Sequence, residues 1–346
     1  MRKLSVVGFF GGNQNVSDGQ GVKTKIVTEE LEKVFGADNV KRVDTYKWKR
    51  NPLKLFCNFV SAVWSSENVM FLTAEGGLKV FPTLLHIANI GKRCKLHYYV
   101  VGGWLGRFLD QNKSSVSVLK RLDAIYVELP AMLRDLEKRG FENVVLVNKF
   151  RRMNIADEAC TDEIPREPFK LCFFSRVMKE KGVEDCIDAV KLANERAGRV
   201  KFSLDIYGAV NPLYKETFEE AMKSFPDYIR YGGIVDFQHS TDVLKNYFAM
   251  MFPTFYPNEG YPNTVVDAYA AGLPVIATRW NYNEDIIREN EDGVFADVGN
   301  VEQLADAMEY LSGDLEHHRT MRKNCLARCT EYLPENAIKK VIEKLK

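Results

Sequence analysis

Four residues in the second half of the chain have the types and spacing to grip a diphosphate and neighbouring hydroxyls. In PNEGYPNTVVDAYAAGLPVIAT (257–278), Glu259 and Gly260 lie in a turn just before a helical stretch, and Asp267 follows further along it. Pro262 presets the backbone for the first helical turn, and Asn263 is expected as its N-cap. Gly272 ends the helix and Pro274 bars its continuation. Such a helix start aims free N–H groups and the positive dipole end at an anion. Glu259 would accept hydrogen bonds from hydroxyls beside that anion. Asp267, four residues after Asn263, shares its helix face. Upstream, FFSRVMKEKGV (173–183) puts Arg176 directly after a β run and Lys181-Gly182 at the next helix start. A guanidinium engages phosphate bidentately and an ammonium acts as a point charge. A lone arginine after a strand usually makes a surface ion pair. Beside the Glu-Gly turn, the same arginine reads as part of a site.

The first half offers a second candidate. GGNQNVSDGQGVKT (11–24) follows a β run and precedes a helix, so its backbone could cradle phosphate. A Walker A loop needs Gly-Lys in sequence, and Val22 separates Gly21 from Lys23. A dinucleotide fingerprint finds Gly19 and Gly21 but Thr24 in the third glycine position, with Asp44 about 20 residues on. These features keep an NAD-dependent oxidoreductase as an alternative. No DxD motif and no His/Cys cluster occur, so neither a metal nor a bound cofactor is expected.

These residues need strands and helices to place them. LSVVGFF, VKRVDTY, NVMFLTA, KLHYYVVG, AIYV and NVVLVN are β candidates separated mostly by helical patterns. After a polar, acidic stretch (151–168) with two prolines, the rhythm restarts with KLCFFS, FSLDIYG, IRYGG, MMFP, PVIAT and GVFAD. Alternating βα units imply α/β domains with parallel sheets. The spacing predicts two Rossmann-like doubly wound domains, 1–150 and 169–325, joined by a linker at 151–168. A C-terminal helix over 326–346 would return toward the first domain. Ligands of such sheets lie beyond the strands' carboxyl ends, here in a cleft between the domains.

Bulk properties exclude several classes. The 346 residues are 46% hydrophobic and 27% charged, values of a globular chain. Seven cysteines without a CxxC pair read as reduced thiols. MRKLSVVGFFGG lacks a signal peptide's long apolar region, and no stretch is apolar enough to span a membrane. Residues 1–150 hold 23 Lys+Arg against 14 Asp+Glu, a balance of +9; the remainder hold 25 against 33, a balance of −8. The first half's basic surplus concentrates at Lys47, Lys49, Arg50 and Lys54, beside Trp48 and ahead of an amphipathic helix. That lead-in reads either as a solvated covering helix or as a patch for an anionic membrane surface. No nucleic-acid reader motif accompanies it. Location is expected to be cytoplasmic, or peripheral on the inner face of the membrane.

The pattern SRxxxxKG followed by EGxPxxxxDAxAxGxPVIAT resembles the C-terminal half of retaining glycosyltransferase family 4, which has the GT-B fold. The resemblance covers residues 168–312 well and the first 150 loosely. It implies transfer of a hexose from a nucleotide-sugar, with uracil as the base, to a glycan or lipid-linked acceptor in cell-surface polysaccharide synthesis. Arg176 and Lys181 would neutralise the leaving diphosphate, and Glu259 would hold the donor sugar. The backbone from Gly260 through Tyr261 and Pro262 to Asn263 would lie near sugar and phosphate. Thr264 would add a phosphate contact, and Asp267 would hold the ribose. Gly208 and Val235 match the base pocket, and Gly11 and Gly12 the first-strand loop, which faces donor and acceptor; the resemblance makes 1–150 the acceptor-binding domain and 169–325 the nucleotide-sugar-binding one. Two departures stand out: Asp267 replaces the usual Glu, and Gly102-Gly103-Trp104 stands where many members carry a histidine. His97, inside the strand, does not take that role. A catalytically silent scaffold subunit of the same fold is a further alternative.

Overall fold

The computed structural model describes residues 2–12, 19–163, 165–257 and 259–346. Residues 13–18 of the glycine-rich loop, Ile164 of the acidic stretch and Asn258 of the Glu-Gly turn lie outside them.

The chain divides into two units, Met1–Arg151 with Leu333–Lys346, and Arg152–Tyr332. Each unit holds one six-stranded sheet, and every strand pairing is parallel. In the first unit, β1 (Arg2–Gly8), β2 (Val40–Asp44), β3 (Ser66–Phe71), β4 (Lys95–Tyr99), β5 (Ala124–Val127) and β6 (Val144–Leu146) run in the order β2-β1-β3-β4-β5-β6. In the second, β7 (Phe169–Phe174), β8 (Phe202–Tyr207), β9 (Ile229–Gly233), β10 (Ala249–Phe252), β11 (Val275–Thr278) and β12 (Gly293–Ala296) run β12-β11-β10-β7-β8-β9. Strand order therefore reverses beside the first strand of each unit. The crevice at the strands' carboxyl ends there is where doubly wound sheets take ligands. In unit one that point lies between β1 and β3, and in unit two between β7 and β10.

The central β runs are buried on both faces, which explains their near-continuous apolar sequences, whereas β2, β6 and β9 at the sheet edges are only partly buried. Gly8 takes the role that the third glycine of a dinucleotide fingerprint would have. A Cβ there would lie 2.7 Å from Thr24 Cγ2, so the glycine on the strand admits the threonine on the helix. Gly19 and Gly21 are already helical, within Gly19–Phe35.

The stretch 151–168 is not a free linker. The Ala156 N–H donates to Ala270 O (2.8 Å), Thr241 Oγ1 donates to Asn154 O (2.8 Å), and Met153 packs into the second unit's core. The C-terminal segment is likewise docked. Ala337, Ile338, Val341 and Leu345 are buried in the first unit's core, and Asn68 Nδ2 donates to Leu345 O. Fully burying aliphatic side chains such as Val341 and Leu345 contributes about 1.5–3 kcal/mol each.

Each unit holds one buried neutral histidine. Asn68 Nδ2 donates to the Lys3 and Leu345 carbonyls, so its Oδ1 must accept from His97 Nε2 (3.1 Å), leaving His97 Nδ1 to accept from Tyr126. His318 stacks on the Phe248 ring at 4.0 Å and meets the Phe248 carbonyl through Nε2 (2.8 Å). Burial lowers both imidazoles to about 4. Between that value and the ordinary 6.5, the unfolded chain binds protons that the folded one refuses. Stability is thus intact above about pH 6.5 and is lost as pH falls toward 4, by at most ~1.4 kcal/mol per pH unit for each ring. Urea midpoints should fall between pH 7 and pH 5, and His97→Gln should flatten the slope for unit one. A midpoint indifferent to pH over that range would contradict neutral burial.

Candidate active site

The switch point of the second sheet gathers three of the sequence-selected residues. The chain leaves β7 at Phe174, but its ladder with the β8 side continues. Ser175 N–H donates to Tyr207 O (3.1 Å) and Val177 N–H to Ala209 O (2.9 Å). Arg176 is held between these bonded residues, with its side chain exposed. Gly208 makes this possible. Its φ is 136°, and a Cβ would lie 1.8 Å from the Ser175 carbonyl. Its role is to let the two strand exits lie side by side.

Lys181 ends a short 3-10 turn, Lys179–Lys181, that leads into the helix Val183–Ala197. Gly182 between them has φ 75°, and a Cβ would lie 2.2 Å from the Pro253 carbonyl. That close approach brings the β10 exit loop against the turn. Phe255 N–H donates to Glu180 O (2.9 Å). Across this junction Lys181 Nζ forms an ion pair with Glu259, both side chains being less than a tenth exposed. Thr254 Oγ1 donates to the same carboxylate oxygen, Glu259 Oε2 (2.9 Å).

Tyr256 joins the cations. Arg176 Cζ lies 5.4 Å from its ring centroid and Lys181 Nζ 5.1 Å, within cation–π range. Its carbonyl accepts from Trp280 Nε1 (2.9 Å), and Asn281 Nδ2 lies 3.4 Å from the carbonyls of Tyr256, Pro257 and Glu259. The loop after β11 thus braces the turn from behind. Thr254, Tyr256, Trp280 and Asn281 escaped the sequence reading. Their one signal was position, immediately after β10 and β11.

The helix Asn263–Ala270 departs from expectation at its start. Asn263 is its first residue and Pro262 the N-cap, so no side chain caps it. Thr264 Oγ1 donates to the Phe174 carbonyl (2.6 Å), two residues before Arg176. Its hydroxyl proton is therefore spent on a strut that fixes the helix start to the end of β7. The helix's first N–H groups, which have no intrahelical acceptor, remain for an anion. The helix closes with a Schellman motif: Gly272 N–H to Tyr269 O (3.0 Å) and Leu273 N–H to Ala268 O (2.9 Å).

The remaining site residues are spread out. Gly260 has open space where a Cβ would stand, unlike Gly182 and Gly208. Tyr261 donates its hydroxyl to Tyr332 (2.6 Å), so that group is engaged within the second unit. Asp267 is 5% exposed on the helix. Val235 is half-buried beyond β9.

Gly11 and Gly12 belong to the first unit, in left-handed conformations with φ of 85° and 57°. Asp44 holds this loop: its carboxylate accepts from the N–H groups of Phe10 (3.0 Å), Gly12 (2.7 Å) and Tyr46 (2.9 Å). A carboxylate so occupied has little left for a ribose, which removes the main support for the dinucleotide reading. His97 is a core residue, as its buried hydrogen bonds show.

Comparison with known proteins supplies the context. Residues 168–314 match the family model described as glycosyl transferases group 1. The capsular polysaccharide biosynthesis glycosyltransferase CapM of Staphylococcus aureus is 25% identical over 191 residues, 54% of this chain and 47% of the relative. The amylovoran biosynthesis glycosyltransferase AmsK of Erwinia amylovora is 21% identical over 150 residues, 42% and 36% of the two chains. The chain thus spans less than half the length of these curated relatives. Among solved structures, Anabaena HepE in complex with UDP superposes with a TM-score of 0.69 at 14% identity, covering 100% of this chain and 99% of HepE. Sucrose-phosphate synthase from Thermosynechococcus elongatus gives 0.64 at 15%, covering 100% and 98%. The fold is GT-B, an α/β class of two Rossmann-like units.

The Lys181–Glu259 pair makes a checkable demand. Removing one member leaves a buried charge uncompensated, at a cost of about 3–5 kcal/mol, whereas removing both can be nearly neutral. Lys181→Met should lower urea stability by roughly that amount, and Lys181→Met/Glu259→Gln should restore most of it. Additive losses in the double variant would show that the pair is not coupled.

Proposed function

We propose that the protein transfers a hexose from a UDP-sugar to a glycan or lipid-linked acceptor in the assembly of a surface polysaccharide, with retention at the transferred sugar. The observation that carries this reading is the meeting of Arg176, Lys181 and Glu259 around Tyr256 at the second sheet's switch point. The names of two matched relatives, glycosyltransferases of capsular polysaccharide biosynthesis and of amylovoran biosynthesis, and the UDP bound to HepE support the substrate class.

Charge arithmetic suits a leaving diphosphate. Lys181 is offset by Glu259, while Arg176 has no carboxylate partner among the described residues. The helix start adds about half a positive charge. The net positive potential is thus set before substrate arrives and needs no rearrangement as the glycosidic bond to phosphate breaks. Glu259, locked by Lys181 and Thr254, offers its other oxygen to donor-sugar hydroxyls. Gly260 leaves room for that sugar. Asp267 takes the ribose, and Gly208 and Val235 border the base. Leaving-group charge is carried by these side chains and backbone N–H groups rather than by a metal ion.

Arg176→Ala should reduce transfer from a UDP-sugar roughly 100-fold or more, the typical effect of losing one preorganised donor. Gly260→Ala should leave the melting temperature within about a degree while raising KM for the donor. The anomeric proton coupling of the first-formed product should report retention. An unchanged rate in Arg176→Ala, or an inverted product, would overturn the corresponding part.

A further inference from the structure

The first unit's switch point carries a pocket that the donor site leaves unused. It has a volume of about 430 Å³ and opens where Phe9 follows β1, Thr45 follows β2 and Thr73 follows β3. That size falls within the range of small-molecule sites, and the location is the one doubly wound sheets use. Its walls combine Phe9, Trp48 and Phe81 with the polar side chains of Gln20, Thr45 and Thr73, and Trp48 is set edge-on to Phe81 at 5.2 Å. Its rim holds Lys47, Lys49 and Arg50.

The rim is fixed by the backbone. Lys47 adopts a left-handed conformation (φ 51°), rare for a residue with a side chain, and starts the tight turn Trp48–Arg50. Asn51 then caps the helix Pro52–Ser65 by accepting the Lys54 N–H (3.0 Å). Lys54 lies beyond the cap and does not line the pocket. Asp44 ties the β1 and β2 exits together through its three backbone N–H bonds. Among the described residues no carboxylate lines the pocket, and none of the three cations forms an ion pair. Lys47 Nζ lies 4.6 Å from the Tyr46 ring centroid and Lys49 Nζ 5.8 Å from that of Trp48, yet neither ring neutralises its charge, and three like charges around one concavity focus a positive potential. The sequence alone left these cations on a solvated helix or facing a membrane. Their convergence on an aromatic-walled pocket favours a discrete ligand.

We propose that this pocket binds an anionic sugar, its ring against the Trp48–Phe81 wall and its carboxylate or phosphate among Lys47, Lys49 and Arg50. In calling that sugar part of the acceptor we rest on the transfer reaction proposed above; the binding itself does not depend on it. Calorimetry on the full chain tests it with four probes: a tetrasaccharide alternating glucuronate and N-acetylglucosamine, neutral chitotetraose, inorganic diphosphate, and phosphatidylglycerol vesicles. The charged tetrasaccharide should bind at least tenfold more tightly than chitotetraose. Lys49→Glu/Arg50→Glu should weaken it about tenfold or more, by loss of charge-assisted hydrogen bonds. Lys54→Glu should not. Displacement by diphosphate would assign the anion to a phosphate, and its failure to a carboxylate. UDP affinity, measured on the same samples, reports the donor reading separately and should survive Lys49→Glu/Arg50→Glu. Equal binding of charged and neutral sugars, or charged-sugar binding indifferent to Lys49→Glu/Arg50→Glu, would overturn the proposal. So would loss of vesicle binding alone in that variant.

Discussion

The second unit's site depends on one buried ion pair and on the glycine that allows it. Lys181 and Glu259 are 78 positions apart in sequence and meet only because Gly182 lets the β10 exit loop press against the turn before the helix Val183–Ala197. Any side chain at Gly182 would meet the Pro253 carbonyl and push the loop away. The pair then sets the lysine's height over Tyr256 and the carboxylate's direction toward Thr254. Desolvating two charges is costly, and such pairs seldom add net stability. Their value here is placement: a cation and an acid oxygen are fixed before any ligand arrives.

Much of this was legible in residue order. The central strands of both sheets follow the apolar runs because parallel strands buried on both faces must be apolar throughout. Gly272 and Pro274 marked a helix end that the structure closes with a Schellman motif. Other features depend on atoms far away in sequence. Asn263 looks like an N-cap by type, yet Pro262 already supplies the extended backbone a cap needs. Thr264 looks like a phosphate ligand, but the end of β7 offers its hydroxyl a carbonyl at 2.6 Å. Asp44 looks like a ribose ligand at the right spacing, but three local N–H groups claim it. For Thr264 and Asp44 a short-range pattern was right about polarity and blind to the competing partner.

The two units answer the same topology with different chemistry. Both sheets reverse their strand order beside their first strand and so open a crevice at the same place. In the second unit the crevice is tuned by balance, with an ion pair, one further cation and a helix start. In the first it is tuned by excess, with three cations and an aromatic wall. The uneven charge of the halves, +9 against −8, has part of its physical origin in that rim.

The central claim, that the second sheet's switch point holds a nucleoside diphosphate, is met most directly by thermal melting with UDP and, in parallel, with NADH. A ligand at about 100 times its Kd adds roughly 2.7 kcal/mol to the folded state, which a melting curve resolves. The account predicts a raised transition with UDP, absent in Arg176→Ala, and none with NADH. A shift with NADH alone, or none with UDP at millimolar concentration, would contradict it.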